Sequence, residues 1–143
     1  MTRFLERAQQ GGLLFDGATG SLLYERGVFL TRCFEHVSIE QPTLVRQVHE
    51  EYLQAGAQVL TTNTFGANRV ALGKFGLAEK LRDIHLAGAR IARLAASESG
   101  RPVFVAGSIG PLPSQPQYEA HIVDMILEQA EALMEGGADF VMF

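Results

Sequence analysis

Three polar stretches of this chain carry residue types that could do chemistry. Leu13-Leu-Phe-Asp16 ends an apolar run in a carboxylate, and Gly17 follows it. Glycine lets a ligand approach the backbone closely, and a carboxylate accepts hydrogen bonds from an ammonium group. Asp16 is equally suited to cap a short helix over Ala18 to Arg26, whose end Gly27 marks, and residue type alone divides the two readings evenly. Thr61-Thr-Asn-Thr-Phe-Gly66 sets hydroxyls and an amide directly after another apolar run. Such groups can orient a small polar ligand, and they also build turns through side-chain-to-backbone hydrogen bonds. Ala106-Gly-Ser-Ile-Gly-Pro111 offers backbone amides that can cradle an anion. It holds no basic residue, however, and Gly-x-x-Gly-Pro is ordinary loop punctuation.

The remaining reactive types are dispersed. His36, His49, His85 and His121 stand at no metal-ligand spacing from each other or from cysteine. His49 and His85 fall within helical stretches, so helix packing or surface roles are the expectation. Cys33 follows Arg32 between the first strand and its helix. A guanidinium lowers a thiol pKa a little, but no general base for a nucleophile is identifiable. Glu50-Glu51, Lys80 and Arg90 read as solvated helix faces.

The elements that must position these groups follow from periodicity. Leu13-Leu-Phe-Asp16, Gln58-Val-Leu-Thr-Thr62, Pro102-Val-Phe-Val-Ala106 and Ala138-Asp-Phe-Val-Met-Phe143 are short apolar runs bounded by turn residues. Runs of that kind read as strands buried on both faces, as in parallel sheets. Between them, Pro42 to Ala55 carries Leu44, Val45, Val48, Tyr52 and Leu53 at helical spacing, opening on Pro and closing at Gly56. Leu77 to Ala96 presents Leu77, Leu81, Ile84, Gly88, Ile91 and Ala95 on one face. Tyr118 to Glu135 presents Ile122, Ile126, Ala130 and Leu133, with Gly136-Gly137 as its stop. A short helix around Phe4, Leu5 and Ala8 precedes the first strand.

Alternating helix and strand means parallel crossovers, and two architectures compete: a doubly wound open sheet and a (β/α)8 barrel. Neither a G-x-G-x-x-G fingerprint nor a Walker loop is present. Polar residues and glycines after each of the first three strands instead fit the catalytic face of a barrel. The expected fold class is therefore α/β, built of parallel βα repeats. About four strands would form the N-terminal half of a TIM barrel, because a whole barrel takes about 250 residues.

Composition narrows the class. The chain has 143 residues, 47% of them hydrophobic and 20% charged, enough apolar material for one core and unlike a disordered chain. Its 12 basic and 16 acidic side chains leave a formal charge of −4, with no basic run to attract nucleic acid or an anionic membrane. No stretch approaches the roughly 18 apolar residues of a membrane helix, and no secretory signal is visible at Met1-Thr-Arg-Phe-Leu-Glu-Arg. One cysteine cannot form an internal disulfide, which fits a reducing compartment, the cytoplasm.

Taken together, the motifs resemble those of the homocysteine S-methyltransferases. The carrying strings are Leu13-Leu-Phe-Asp-Gly-Ala-Thr-Gly-Ser-Leu-Leu-Tyr-Glu-Arg-Gly27, His49-Glu-Glu-Tyr-Leu-Gln-Ala-Gly-Ala-Gln-Val-Leu-Thr-Thr-Asn-Thr-Phe-Gly-Ala-Asn-Arg69 and Ala106-Gly-Ser-Ile-Gly-Pro111. With Thr31-Arg-Cys-Phe-Glu-His36, the second string most resembles bifunctional bacterial proteins in which this domain is fused to a methylenetetrahydrofolate reductase. The resemblance implies a homocysteine-binding domain of which 1–143 is the N-terminal half. It places Asp16, Gly17, Thr62, Asn63, Thr64 and Phe65 in the homocysteine pocket.

The resemblance further implies a zinc-dependent transfer of a methyl group to homocysteine, giving methionine. The donor would be methylfolate, methylcobalamin, betaine or a sulfonium. Zinc holds the sulfur as a thiolate at neutral pH, and the family's zinc cysteines and a further glutamate would lie beyond Phe143. None of the residues present is therefore expected to bind the metal, and the chain alone is expected to be inactive. Self-association through open sheet edges is expected as well. The rival function is a non-catalytic half-barrel that assembles with itself or with a separately encoded half.

Overall fold

A computed structural model describes residues 2–112 and 116–143. Helix α1 (Thr2–Gln9) opens the chain, followed by α2 (Thr19–Glu25), α3 (Val37–Glu40) and α4 (Pro42–Gln54). Strand β1 (Val59–Thr61), α5 (Arg69–Gly73), a 3-10 turn (Ala78–Lys80) and α6 (Leu81–Glu98) come next. Strand β2 (Phe104–Ser108), α7 (Pro116–Glu119), α8 (Ile122–Glu135) and β3 (Phe140–Met142) complete it.

The described strands form one parallel sheet in the order β1-β2-β3, with Leu60 opposite Val105 and Gly107 opposite Val141. The order never reverses, so this sheet has no switch point of the doubly wound kind. The sheet is not closed. The expected first strand needs correction: Leu13 to Asp16 yields a single parallel bridge, Phe15 to Val59, in place of a ladder. Its hydrogen bonds explain why. Gln58 N and Val59 N both donate to Leu14 O, at 2.7 and 3.1 Å, while Leu14 N takes the Gln58 side chain. Backbone groups shared in this way cannot continue a regular pairing. Three strands and a bridge therefore stand where four strands were expected.

The core lies between sheet and helices. Leu60, Val105 and Leu133 are fully buried there, each worth roughly 1.5–3 kcal/mol in apolar transfer. Ala89, Ala92, Ala95 and Ala96 of α6 join them. The buried face of α6 keeps Leu81, Ile84, Gly88 and Ala95 of the expected stripe and widens to take in His85 and Ala92, while Ile91 is only half-buried. Small alanines let α6 approach the strands and also pack on α4 and α8. The helix begins at Leu81, later than the expected Leu77, because the 3-10 turn intervenes. Likewise the expected helix from Tyr118 to Glu135 is broken into α7 and α8 around Ala120 and His121.

Each handover from helix to strand turns on one glycine with positive φ: Gly56 (+104°) before β1, Gly100 (+70°) before β2 and Gly137 (+106°) before β3. Arginines reinforce this end of the sheet. Arg101 donates to Leu53 O and Ala57 O at 2.7 and 2.8 Å, tying the last turn of α4 to the turn that leads into β1. Arg93 pairs with Asp139 at 2.5 Å, and Asp139 accepts from Val105 N at 2.7 Å. Among the described residues no helix is long and apolar enough to cross a membrane.

Candidate functional site

At the opposite edge, where β1 and β2 run out, lies a cleft of about 490 Å³. Gly17 and Thr62 to Phe65 line it, as do Phe34, Glu35 and Ser108. Five of the six residues singled out from the sequence therefore line one cavity; Asp16 lies directly next to them.

Asp16 is tied to the end of β1. Its backbone N–H donates to Val59 O at 3.0 Å, and its Oδ2 accepts from Thr61 N at 2.8 Å. Oδ1 is buried with no hydrogen-bond partner. Burial pushes the Asp16 carboxyl above its usual pKa, with the Thr61 hydrogen bonds opposing that shift. The capping alternative fails, since Ala18 is the N-cap of α2 and no side chain bonds there. Gly17 has a steric reason to be glycine: a Cβ would lie 2.8 Å from the Tyr52 hydroxyl.

The threonines form a closed device. Thr64 Oγ1 donates to Ser108 O at 2.7 Å, Ser108 N donates to Thr62 Oγ1 at 2.9 Å, and the two hydroxyl oxygens are 2.7 Å apart. Because the one hydroxyl hydrogen of Thr64 goes to the carbonyl, Thr62 must donate to Thr64. The three bonds close a ring that staples the end of β1 to the end of β2, and both hydroxyl hydrogens are spent in it. Asn63 Nδ2 donates to Phe34 O at 2.8 Å and Ser38 Oγ at 3.2 Å. Phe65 is 61% exposed while its carbonyl accepts from Gly110 N at 2.9 Å.

The ring makes a testable contribution. Thr64→Val keeps the shape but strands a buried carbonyl and a buried hydroxyl, so a loss of about 1–3 kcal/mol is expected in urea unfolding. A midpoint equal to the parent's would show that the ring contributes nothing.

A profile of the family described as Homocysteine S-methyltransferase matches residues 13–143. The chain belongs to the homocysteine S-methyltransferase family. Methionine synthases of Mycobacterium leprae (strain TN) and Mycobacterium tuberculosis (strain ATCC 25618 / H37Rv) are 35% and 33% identical to it over 154 residues. Those alignments cover 99% of this chain and 13% of each relative. The metallated form of the homocysteine methyltransferase MmuM from Escherichia coli matches with a TM-score of 0.75 at 27% identity, over 95% of this chain and 55% of that one. Its oxidized form gives 0.73 at 30% identity, over 90% and 51%. The chain thus spans about half the length of the MmuM structures and a small part of the methionine synthases.

Within this methyltransferase-family chain, the residues described do not fit a metal. No three His, Cys, Asp or Glu side chains cluster among them. Cys33 is buried and donates its S–H to Glu35 Oε2 at 3.3 Å. Burial, with Glu35 beside it, pushes the thiol up to about 11, the opposite of an activated ligand or nucleophile. His49 and His85 are fully buried in helix packing, and His36 faces Glu40 at 3.6 Å.

Sequence reasoning missed Glu35 and Phe34. Both belong to Thr31 to His36, which served only to place the chain among its relatives, and their partners lie about thirty residues away on the 62–66 turn. No local periodicity signals so distant a pairing.

Proposed function

We propose that residues 1–143 are the N-terminal half of a homocysteine-binding (β/α)8 barrel, closest to the type fused to a methylenetetrahydrofolate reductase. In this reading the cleft holds the amino-acid end of homocysteine. Gly17 forms its base, with Asp16 directly behind it, and Thr62, Asn63, Thr64 and Phe65 form its wall. The observation that carries it is the convergence of Gly17, Thr62, Asn63, Thr64 and Phe65 on one cleft at the C-terminal edge of a parallel sheet, where barrel enzymes keep their chemistry.

The whole enzyme would transfer a methyl group from methylfolate, methylcobalamin, betaine or a sulfonium to homocysteine, yielding methionine in the cytoplasm. Its zinc would sit on residues that this chain does not supply. What the present residues do is bind and orient. The ringed threonines fix the turn, and the backbone at Gly17 stays open to the ligand. The unpaired edge of β3 and the exposed Phe15, Phe65 and Phe143 favour self-association or pairing with a complementary half as a second reading.

Calorimetry with homocysteine, metal analysis after dialysis and light scattering test the two together. The expected result is saturable homocysteine binding, no stoichiometric zinc and no methionine formation with any donor class. Absence of saturable binding, with association seen by scattering, would favour the assembly reading. Stoichiometric zinc with turnover would overturn the placement of the metal outside these residues.

A further inference from the structure

We propose that Tyr52 is a positioning residue for the cleft: its hydroxyl, set against Gly17, holds the backbone at 17–18 in place for the ligand. The role rests on reading the cleft as an amino-acid pocket. Tyr52 is not among the residues that line the cleft, so it acts through Gly17, Thr19 and Gly20, which do. Two tethers fasten the preceding segment to the β1 strand, and both end at Asp16: its N–H donates to Val59 O, and its Oδ2 accepts from Thr61 N. The next tether comes from α4, where the Tyr52 hydroxyl donates to Ala18 O at 3.2 Å. Among the described residues, no other hydrogen bond joins Gly17 or Ala18 to anything outside α2. Helix α2 also opens without a side-chain cap, so its entry is set by this one hydroxyl.

The hydroxyl is itself held before any ligand arrives. The Tyr52 ring packs against two cores at once, that of the sheet and a second one of Leu23, Val28, Val37, Val45 and Val48. Its carbonyl accepts from Ala57 N at 2.9 Å, which fixes the turn from α4 into β1. A side chain with two torsions, wedged in this way, has little freedom left to lose on binding. Its contact with Gly17 is close: a Cβ there would lie 2.8 Å from the hydroxyl oxygen, and 3.1 and 3.2 Å from two ring carbons. Glycine at 17 therefore lets the hydroxyl of Tyr52 reach past it to Ala18.

The one hydroxyl hydrogen goes to Ala18 O, so the buried Oδ1 of Asp16 receives nothing from Tyr52 and keeps its lone pairs. A bond from Tyr52 to Oδ1 instead would spend that acceptor and leave the 17–18 backbone untied. Partial burial, with the Asp16 carboxylate nearby, pushes the Tyr52 hydroxyl above its usual pKa, so it remains a donor at neutral pH. Ala18 is exposed, and water can replace the hydroxyl at its carbonyl. Loss of the hydroxyl should therefore cost placement of the turn more than stability of the fold.

A double-mutant cycle read by calorimetric titration of homocysteine into the full chain tests the role. Tyr52→Phe removes only the oxygen and should weaken binding by about 3- to 10-fold, with a urea midpoint close to the parent's. Gly17→Ala should cost about 10-fold or more in the parent, because the turn must shift away from the hydroxyl. In the Tyr52→Phe background the same change should cost less, by about threefold or more, since the nearest atom is gone. A merely structural role would lower the urea midpoint and leave the two losses in affinity multiplicative. Unchanged affinity in Tyr52→Phe, multiplicative losses, or a midpoint that falls in step with affinity each overturns the role and leaves the pocket reading standing. A parent that does not bind homocysteine overturns the pocket reading and the role with it.

Discussion

Gly110→Ala is expected to destabilise the protein by about 3 kcal/mol in urea unfolding. Gly110 is buried, and its N–H donates to Phe65 O at 2.9 Å. A Cβ there would collide with that same carbonyl oxygen, which is backbone and cannot swing aside. Relief therefore requires parting the 62–66 turn from the 108–110 loop. Overpacking costs about 1–3 kcal/mol, and a hydrogen bond lost in a confined site adds about 1–3. Gly12→Ala is the matched control, because a Cβ at Gly12 meets nothing within 4 Å. Equal midpoints for the two variants would mean that the loops are not stapled as described.

Acid should weaken the fold through His49. Its imidazole is fully buried in α4, neither ring nitrogen has a hydrogen-bond partner, and burial lowers its pKa to about 4. In the unfolded chain the ring titrates near 6.5. Above that value both states are neutral and the fold keeps the whole benefit. As pH falls from about 6.5 toward 4, the unfolded chain takes up a proton that the folded one refuses, and about 3 kcal/mol of stability is lost. His85 shifts in the same direction by burial, while Asp16 shifts the opposite way and returns some stability once it protonates in the fold. Comparing the parent with His49→Leu isolates the first effect: the variant should lose about 3 kcal/mol less between pH 6.5 and 4. Parallel stability curves for the two proteins would refute the assignment.

The contrast between what the sequence foretold and what the structure holds has physical reasons. Strands β1 to β3 were legible as short apolar runs preceded by Gly or Pro, and helix α4 by its helical spacing between Pro42 and Gly56. The segment 13–16 has the same apolar character but lies at the edge of the sheet, where Gln58 competes through its side chain for the same backbone groups. No local pattern encodes that competition. The break near His121 was hidden because Ile122, Ile126 and Ala130 keep helical spacing with or without an unbroken axis. At the site, the three polar stretches were visible by their position after apolar runs. Their division of labour was not, because ring closure through Ser108 and the reach of Glu35 to Gly66 are long-range geometry.

Three of the left-handed glycines, Gly56, Gly100 and Gly137, stand at the N-terminal ends of the strands, at the edge away from the cleft. So do Arg93 and Arg101 with their carbonyl partners. What keeps each βα unit in register is therefore physically separate from the residues that line the cleft. Loops on the cleft side can exchange residues, lengthen or change charge without disturbing the handovers beneath them. Substitutions at Gly56, Gly100 or Gly137 are expected to tax folding, since each has a positive φ, without touching the cleft lining. A scaffold divided in this way is evolvable: new specificity can be explored on one rim while the other keeps the molecule foldable throughout the search.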